Sequence, residues 1–323
     1  MGRVLRSAIR QLFHRSGGLR LVRWKNRGAV RILMYHRFTD ASLLKAQCAY
    51  LRQYYEVLSM GKFSEYMQSE QPPPANSVVI TIDDGYRDFV KVAFPIFSTY
   101  GIPVTVFLVT DFLDKKLWLW PDVVKYALEH TPHTRAEVEI PNGVHLSLPL
   151  DCFELRLEAA RMIIEETKKL TNADRLLFLQ YLTERLKVML PREMPEYCQP
   201  LRWDEVRSLA KSEVEFGAHT RTHSILSRLS DSQELRNEIE GSKKRIEEEL
   251  NAPVLHFCYP NGRAVDIGAS AIATVRAAEF RTAVTTECGL NLKSTDRFLL
   301  RRIGVEPNFP DLYFRQCVAG FRV

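Results

Sequence analysis

Two spacings of apolar residues alternate along most of the chain. Short β-branched runs predict strands at 31–35, 78–82, 104–109, 214–218, 254–259 and 280–285. Between them, apolar residues recur every three or four positions and predict helices over 43–57, from after Gly85 to about residue 100, and over 203–211, 231–250 and 264–278. Gly101-Ile102-Pro103 and Pro260-Asn261-Gly262 punctuate the alternation. Strands alternating with helices imply a largely parallel sheet or barrel whose ligands sit at the carboxyl ends of its strands.

Residues 111–200 break this rhythm. Trp118-Leu119-Trp120-Pro121 opens the segment, and 138–148 alternates around Pro141-Asn142-Gly143, the signature of a small hairpin. Two amphipathic helices are predicted over 153–170 and 174–190. The segment reads as an insertion with its own packing, serving as a lid, a partner surface or structural bulk. The expected organisation is an N-terminal arm, 1–30, and one α/β domain, 31–323, carrying the insertion. Neither internal repeats nor low-complexity tracts occur.

With 46% hydrophobic and 26% charged residues, 15 Gly and 16 Pro, the chain has the composition of a folded globular protein and excludes disordered and collagen-like classes. Its net charge of +6 is unevenly placed. Residues 1–31 hold nine Lys/Arg and no acid, so subtracting them from 45 leaves 36 bases against 39 acids in the body. That balance gives no reason to expect nucleic acid as a partner. Val4, Leu5, Ala8, Ile9, Leu12 and Phe13 fall on one face of a helix ended by Ser16-Gly17-Gly18, and residues 19–25 again mix apolar residues, Arg and a Trp. A basic amphipathic segment of this kind, residues 1–28, either lies in the interface of an anionic membrane or docks on the domain with its charges solvated. The expected location is cytoplasmic, with a peripheral position on the inner face of the membrane under the first reading. No apolar run follows the basic start as a signal peptide would require. Six cysteines lacking any CxxC pair read as reduced, buried thiols.

Candidate chemistry collects at predicted strand ends. Neighbouring carboxylates on a strand face opposite ways, so Asp83 and Asp84 can serve one site only where the backbone turns, and Gly85 supplies that turn. His219 and His223, four apart after the 214–218 strand, would share one side of a helical turn and can share a metal. Together with one Asp they make a three-ligand site with open positions. The Pro260-Asn261-Gly262 turn exposes backbone N–H groups able to meet an oxyanion. Met34-Tyr35-His36-Arg37 places a His at the end of the first strand.

In this order, Val-Val-Ile-Thr-Ile-Asp83-Asp84-Gly85, Gly217-Ala-His219-Thr-Arg-Thr-His223 and Tyr259-Pro260-Asn261-Gly262 resemble the NodB-type polysaccharide deacetylases, carbohydrate esterase family 4. The likeness covers 31–305 without the insertion, and Met34-Tyr35-His36 matches the branch with an N-terminal Tyr-His motif. The resemblance implies a distorted (β/α) barrel and a divalent metal, usually zinc, held by Asp84, His219 and His223. It implies Asp83 as general base and His36 as acid, with Tyr259, Pro260 and Asn261 at the substrate. An N-acetylated glycan or lipid-linked saccharide would be the substrate. Two departures stand out: the family's third-motif Arg, which braces the base, is Cys258 here, and its usual Tyr is Asn261. Leu300-Arg301-Arg302-Ile303 is the segment able to return an Arg to Asp83. Two rival readings remain, a 2-His-1-carboxylate Fe(II) oxygenase and a non-catalytic carbohydrate-binding relic. A second carboxylate beside the ligand Asp favours hydrolysis over oxygen chemistry.

Overall fold

The computed structural model describes residues 17–38 and 41–321. Its strands are β1 (Arg31–Tyr35), β2 (Glu56–Leu58), β3 (Ser77–Ile82), β4 (Val104–Leu108) and β5 (Arg135–Glu139), then β6 (His145–Pro149), β7 (Val214–Ala218), β8 (His256–Cys258), β9 (Thr282–Cys288) and β10 (Leu300–Gly304). Seven of them, all parallel, close into a barrel in the order β1, β3, β4, β7, β8, β9, β10, with β1 pairing both β3 and β10. The alternation predicts a largely parallel sheet or barrel, and this is the distorted (β/α) barrel of the NodB type that the resemblance implies. The short β2 pairs only with β3, and β5 and β6 form the antiparallel hairpin expected inside the insertion.

The period of two along each strand sorts its side chains. Ile32, Val79, Phe107, Val284 and Leu300 fill the barrel interior, plugged from one end by Met60 and Phe63. Leu33, Ile80, Ile82, Val106 and Ile303 face outward into the shell of helices. Both faces are therefore covered, which is why β3 and β4 are buried throughout and carry β-branched runs. Gly217 permits this filling: a Cβ there would lie 2.5 Å from the Phe107 ring and 2.8 Å from the His256 carbonyl oxygen. Following the inward positions upward leads from Val79 through Thr81 to Asp83, from Leu300 to Arg302, and from Gly217 to His219.

Several expected boundaries shift. The 43–57 helix is Ala41–Tyr54, its last positions being spent on β2. The 264–278 helix is broken at Gly268, whose φ of 79° only glycine adopts readily, into Ala264–Ile267 and Ala269–Ala277. The insertion helices are Phe153–Thr167 and Asn172–Arg185, joined by a third, Trp120–His130, started by Pro121. They enclose a second core, including Trp120, Val124, Leu128, Ile163, Phe178 and Leu182. A last helix, Asp311–Ala319, packs against Gly18–Lys25. The 4–13 amphipathic pattern lies outside the described residues. Four cysteines are buried as expected, but Cys152 and Cys288 are exposed, and all six are free thiols.

Candidate active site

The carboxyl ends of the barrel strands open into a cleft of about 390 Å³ whose floor carries Asp83, Asp84, His219, His223 and His36. At the end of β3 the backbone turns through Asp84 (φ 74°) and Gly85 (φ 83°). Asp83 thus keeps the inward direction while the next carboxylate swings to the same side. A Cβ on Gly85 would lie 2.9 Å from the Leu108 side chain, so only glycine fits the turn.

His219 and His223 do share a side, but not through a helical turn as their spacing suggests. Thr220 (φ 65°) and His223 (φ 59°) are both left-handed, and the segment is a loop pinned from two directions. The Thr220 hydroxyl accepts the His223 amide at 3.0 Å, and Glu238 accepts the amides of Arg221 and Thr222 at 3.0 Å each and the Thr222 hydroxyl at 2.7 Å. Glu238 reaches the loop from the Ser232–Leu250 helix, and nothing in the sequence near the histidines signals it. His219 Nδ1 bonds the Cys258 carbonyl at 2.7 Å, which turns Nε2 toward Asp84.

Asp84 Oδ1 lies 3.5 Å from His219 Nε2 and 3.4 Å from His223 Nε2, and has no hydrogen-bond donor although buried. The fit of a cation can be tested on these lengths. Ligands about 2.1 Å from a tetrahedral ion are separated by about 3.4 Å, which the two distances match. A buried carboxylate oxygen without a donor is costly unless something positive meets it. The trio therefore suits a divalent ion. A second group, Asp83, His219 and Cys258, also converges, but Arg302 stands 3.1 Å from the Cys258 sulfur and 2.7 Å from both Asp83 oxygens and repels a cation there.

That guanidinium fills the gap left by Cys258. From β10, Arg302 holds Asp83 with two parallel charge-assisted bonds and donates to the Thr285 carbonyl at 2.7 Å and to Thr81 Oγ1 at 3.2 Å. Arg302, rather than Arg301, is the brace, because the strand period places it inward with Leu300. Burial alone would raise the Asp83 carboxyl, but Arg302 outweighs it and holds the group below the usual carboxylate range. Burial likewise opposes ionisation of Asp84, and the imidazoles of His219 and His223 outweigh it and bring it far down. Desolvation pushes His223 down to about 3. For His219, burial is outweighed by Cys258 and Asp84, and the group is raised. His36, at the end of β1, lies with Nε2 3.7 Å from Asp83 Oδ2 and is 40% exposed to the cleft.

The predicted substrate residues separate. Asn261 lines the cleft, left-handed at φ 57°, with its side-chain Nδ2 buried and without a partner. Tyr259 is buried against Phe257, and neither it nor Pro260 is among the residues lining the cleft. They shape the turn that presents Asn261. Of the two tryptophans, Trp120 lines the cleft, whereas Trp118 packs edge-on against Tyr126 and lines a neighbouring one. Tyr86, directly after the Asp-Asp-Gly turn, belongs to the wall, its hydroxyl donating to Asp122 at 2.6 Å and its ring under the Arg37 guanidinium. Lys125, Ile164 and Lys168 complete the wall from the insertion.

The chain belongs to the polysaccharide deacetylase family, whose model matches residues 70–137 and 169–283, more than half of its length. Among curated proteins it is similar to "Putative polysaccharide deacetylase YxkH" of Bacillus subtilis (strain 168), with 28% identity over 125 residues, 35% of this chain and 44% of that relative. The matched region thus spans less than half of the relative's length. Among solved structures it is similar in fold to the Streptococcus pyogenes deacetylase PplD in complex with acetate, with a TM-score of 0.59 and 16% identity over 90% of this chain and 99% of that one. IcaB from Ammonifex degensii superposes with a TM-score of 0.58 at 15% identity, over 90% and 96% of the two chains.

Proposed function

We propose that the chain hydrolyses N-acetyl groups from amino sugars of a glycan or glycolipid, releasing acetate and a free amine. The observation that carries this reading is the Asp83–Arg302 pair standing beside the Asp84–His219–His223 cluster. A relic that only bound carbohydrate would have no use for a buried, braced second carboxylate, and an oxygenase would not need it.

Asp84, His219 and His223 would hold a divalent ion, zinc being the expected one for two imidazoles and one carboxylate. Bound there, the ion supplies Lewis acidity to the acetamide carbonyl and lowers the pKa of water. Asp83 takes a proton from the attacking water, kept ionised and aimed by Arg302. His36, open to the cleft and beside Asp83, donates a proton to the departing nitrogen. The backbone N–H of Asn261 meets the developing oxyanion. Trp120 offers an apolar face to a sugar ring. Acetate release from N-acetylated oligosaccharides should stop on chelation, return with zinc and be absent in Asp83→Asn protein that still binds metal. Full activity in that variant would remove Asp83 from the role of base, and oxygen-dependent turnover without acetate would replace the whole reading.

We propose in addition that the acid-free N-terminal segment faces an anionic lipid surface, in the cytoplasm. Its described part supports this: Leu21 and Trp24 are exposed beside Arg20, Lys25 and Arg27. The Gly18–Lys25 helix is fixed where the strands begin, through Asn26 Nδ2 to the Ala319 carbonyl at 3.0 Å and the Asn76 amide to the Arg27 carbonyl at 2.8 Å. That is the pole opposite the cleft, so a chain held this way would meet its glycan from the aqueous side.

A further inference from the structure

The stretch that the family's model passes over, between its two matched blocks, is 138–168. It holds the Phe153–Thr167 helix, and from it Ile164 and Lys168 enter the cleft wall. Lys125 joins them from the neighbouring Trp120–His130 helix. Ile164 and Lys168 therefore come from the stretch outside the matched blocks, whereas Lys125 lies within the first of them, and this part of the wall is a natural place for substrate preference to reside.

Its charge is one-sided. Besides the floor carboxylates, Asp83 and Asp84, the wall contains no acid, whereas it contains Arg37, Lys125 and Lys168. The carboxylates that pair with these cations lie outside the wall: Asp88 with Arg37 at 2.6 Å, Asp122 with Lys125 at 3.4 Å and Glu165 with Lys168 at 2.5 Å. Asp122 already accepts the Tyr86 hydroxyl at 2.6 Å, and the Lys125 ammonium keeps 53% of its side chain in solvent. Behind the wall a further guanidinium is short of acceptors. Arg175, 2% exposed, stacks on Trp120 at 5.3 Å and has Nε and Nη1 unpartnered, and the Trp120 Nε1 donor is unpartnered too. Desolvation lowers Arg175 to about 10 against the raising effect of the nearby Glu238 carboxylate, so it remains cationic at neutral pH. Donors in excess of acceptors along one wall favour an anionic ligand, and a low-dielectric wall concentrates that field.

From this arrangement we infer that the insertion builds a subsite for a negatively charged group, so that the preferred substrate is an acetamido sugar carrying a phosphate or carboxylate next to the scissile amide. The inference rests on the deacetylase reading and narrows its substrate. Lys125 and Lys168 are the binding cations, and Arg175 behind Trp120 is a positioning residue.

The test compares matched pairs by acetate release from the full metal-loaded chain: N-acetylglucosamine 1-phosphate against methyl N-acetylglucosaminide, and hyaluronan tetrasaccharide against chitotetraose. The anionic member of at least one pair should have a kcat/KM about ten- to a hundredfold higher, as expected for hydrogen bonds to a charged group. Which pair shows it separates phosphate from carboxylate. Raising NaCl from about 0.05 to 0.5 M should shrink the ratio. The Lys125→Met/Lys168→Met double variant should bring the ratio near one, and Lys168→Arg should preserve it; because the ratio is taken within each variant, a general loss of activity cancels. Neutral members turned over as fast as anionic ones, or a ratio unmoved in the double variant, would overturn the subsite and leave deacetylation standing. Acetate from none of the four, nor from any N-acetylated glycan, would overturn both.

Discussion

Arg302 and Asp83 form a buried ion pair, 0% and 2% exposed, at the bottom of the cleft. Such a pair gains little over apolar packing, but removing one partner strands the other charge. Because Arg302 holds the folded-state value of Asp83 below its unfolded one, the resulting stability is present above about pH 3.9 and is lost as pH falls through the lowered value. Arg302→Met should therefore lower stability by about 3–5 kcal/mol at pH 7, and by much less near pH 3, where the stranded carboxyl is protonated. Urea unfolding at the two pH values measures this, and Asp83→Asn/Arg302→Met should regain part of the loss at pH 7. Equal destabilisation at both values would contradict the account. At this scale the sequence carried a great deal: each charged or imidazole group of the floor stands at a predicted strand end, and a compensating Arg in 300–303 was foreseeable from the missing third-motif Arg. Choosing Arg302 over Arg301 required knowing that Leu300 points inward.

The loop carrying His219 and His223 is held by an element remote in sequence. Glu238, on the Ser232–Leu250 helix, spends its carboxylate on two backbone amides and a hydroxyl of that loop. Burial raises Glu238 while these donors lower it, with a net upward shift. Groups that orient ligands in this way commonly change metal affinity by about 10- to 100-fold when altered. Glu238→Ala should weaken zinc binding by that order in a competition titration with a chromophoric chelator, while the far-ultraviolet circular dichroism stays unchanged. Unaltered affinity would reduce Glu238 to a helix anchor. Element existence was legible from periodicity, since the barrel strands β1, β3, β4 and β7 and the long 231–250 helix are where the pattern puts them. Element detail was not: β2 has three residues, too few for a period, and the left-handed Thr220 and His223 contradict the helical turn that an i, i+4 spacing suggests. Loop conformation there is set by Glu238 and Thr220 Oγ1, not by local propensity.

For the molecule as a whole, the parallel barrel separates two surfaces. The cleft opens at the carboxyl ends of the strands, and the basic Gly18–Lys25 helix is fixed at their beginnings. The charge subtraction survives in three dimensions: among the described residues Arg20, Lys25 and Arg27 are exposed and form no ion pair. If this pole meets lipid, the full chain should sediment with vesicles containing anionic phosphatidylglycerol and not with neutral phosphatidylcholine vesicles, and deletion of 1–28 should abolish this. Acetate release from a soluble glycan should be little changed by vesicles, since the cleft points the other way. Sedimentation unaffected by the deletion would transfer any lipid contact to another surface, and none at all would leave the charges as solvated bases. No helix of the described residues is long and apolar enough to cross a membrane.

The linear sequence determined the alternation of strand and helix, the hairpin and helices within 111–200, and the identity of the reactive groups, because hydrophobic period and side-chain chemistry are local properties. It could not determine which of two neighbouring arginines turns inward, that Tyr259 is core while Asn261 faces the cleft, or that helices from 120–168 lean over the Asp84–His219–His223 cluster and add Lys125 and Lys168 to its wall. Those outcomes depend on closure of the barrel. Pairing β1 with both β3 and β10 brings residues more than 200 positions apart within hydrogen-bonding distance, and no spacing along the chain encodes a contact made only when the ring closes.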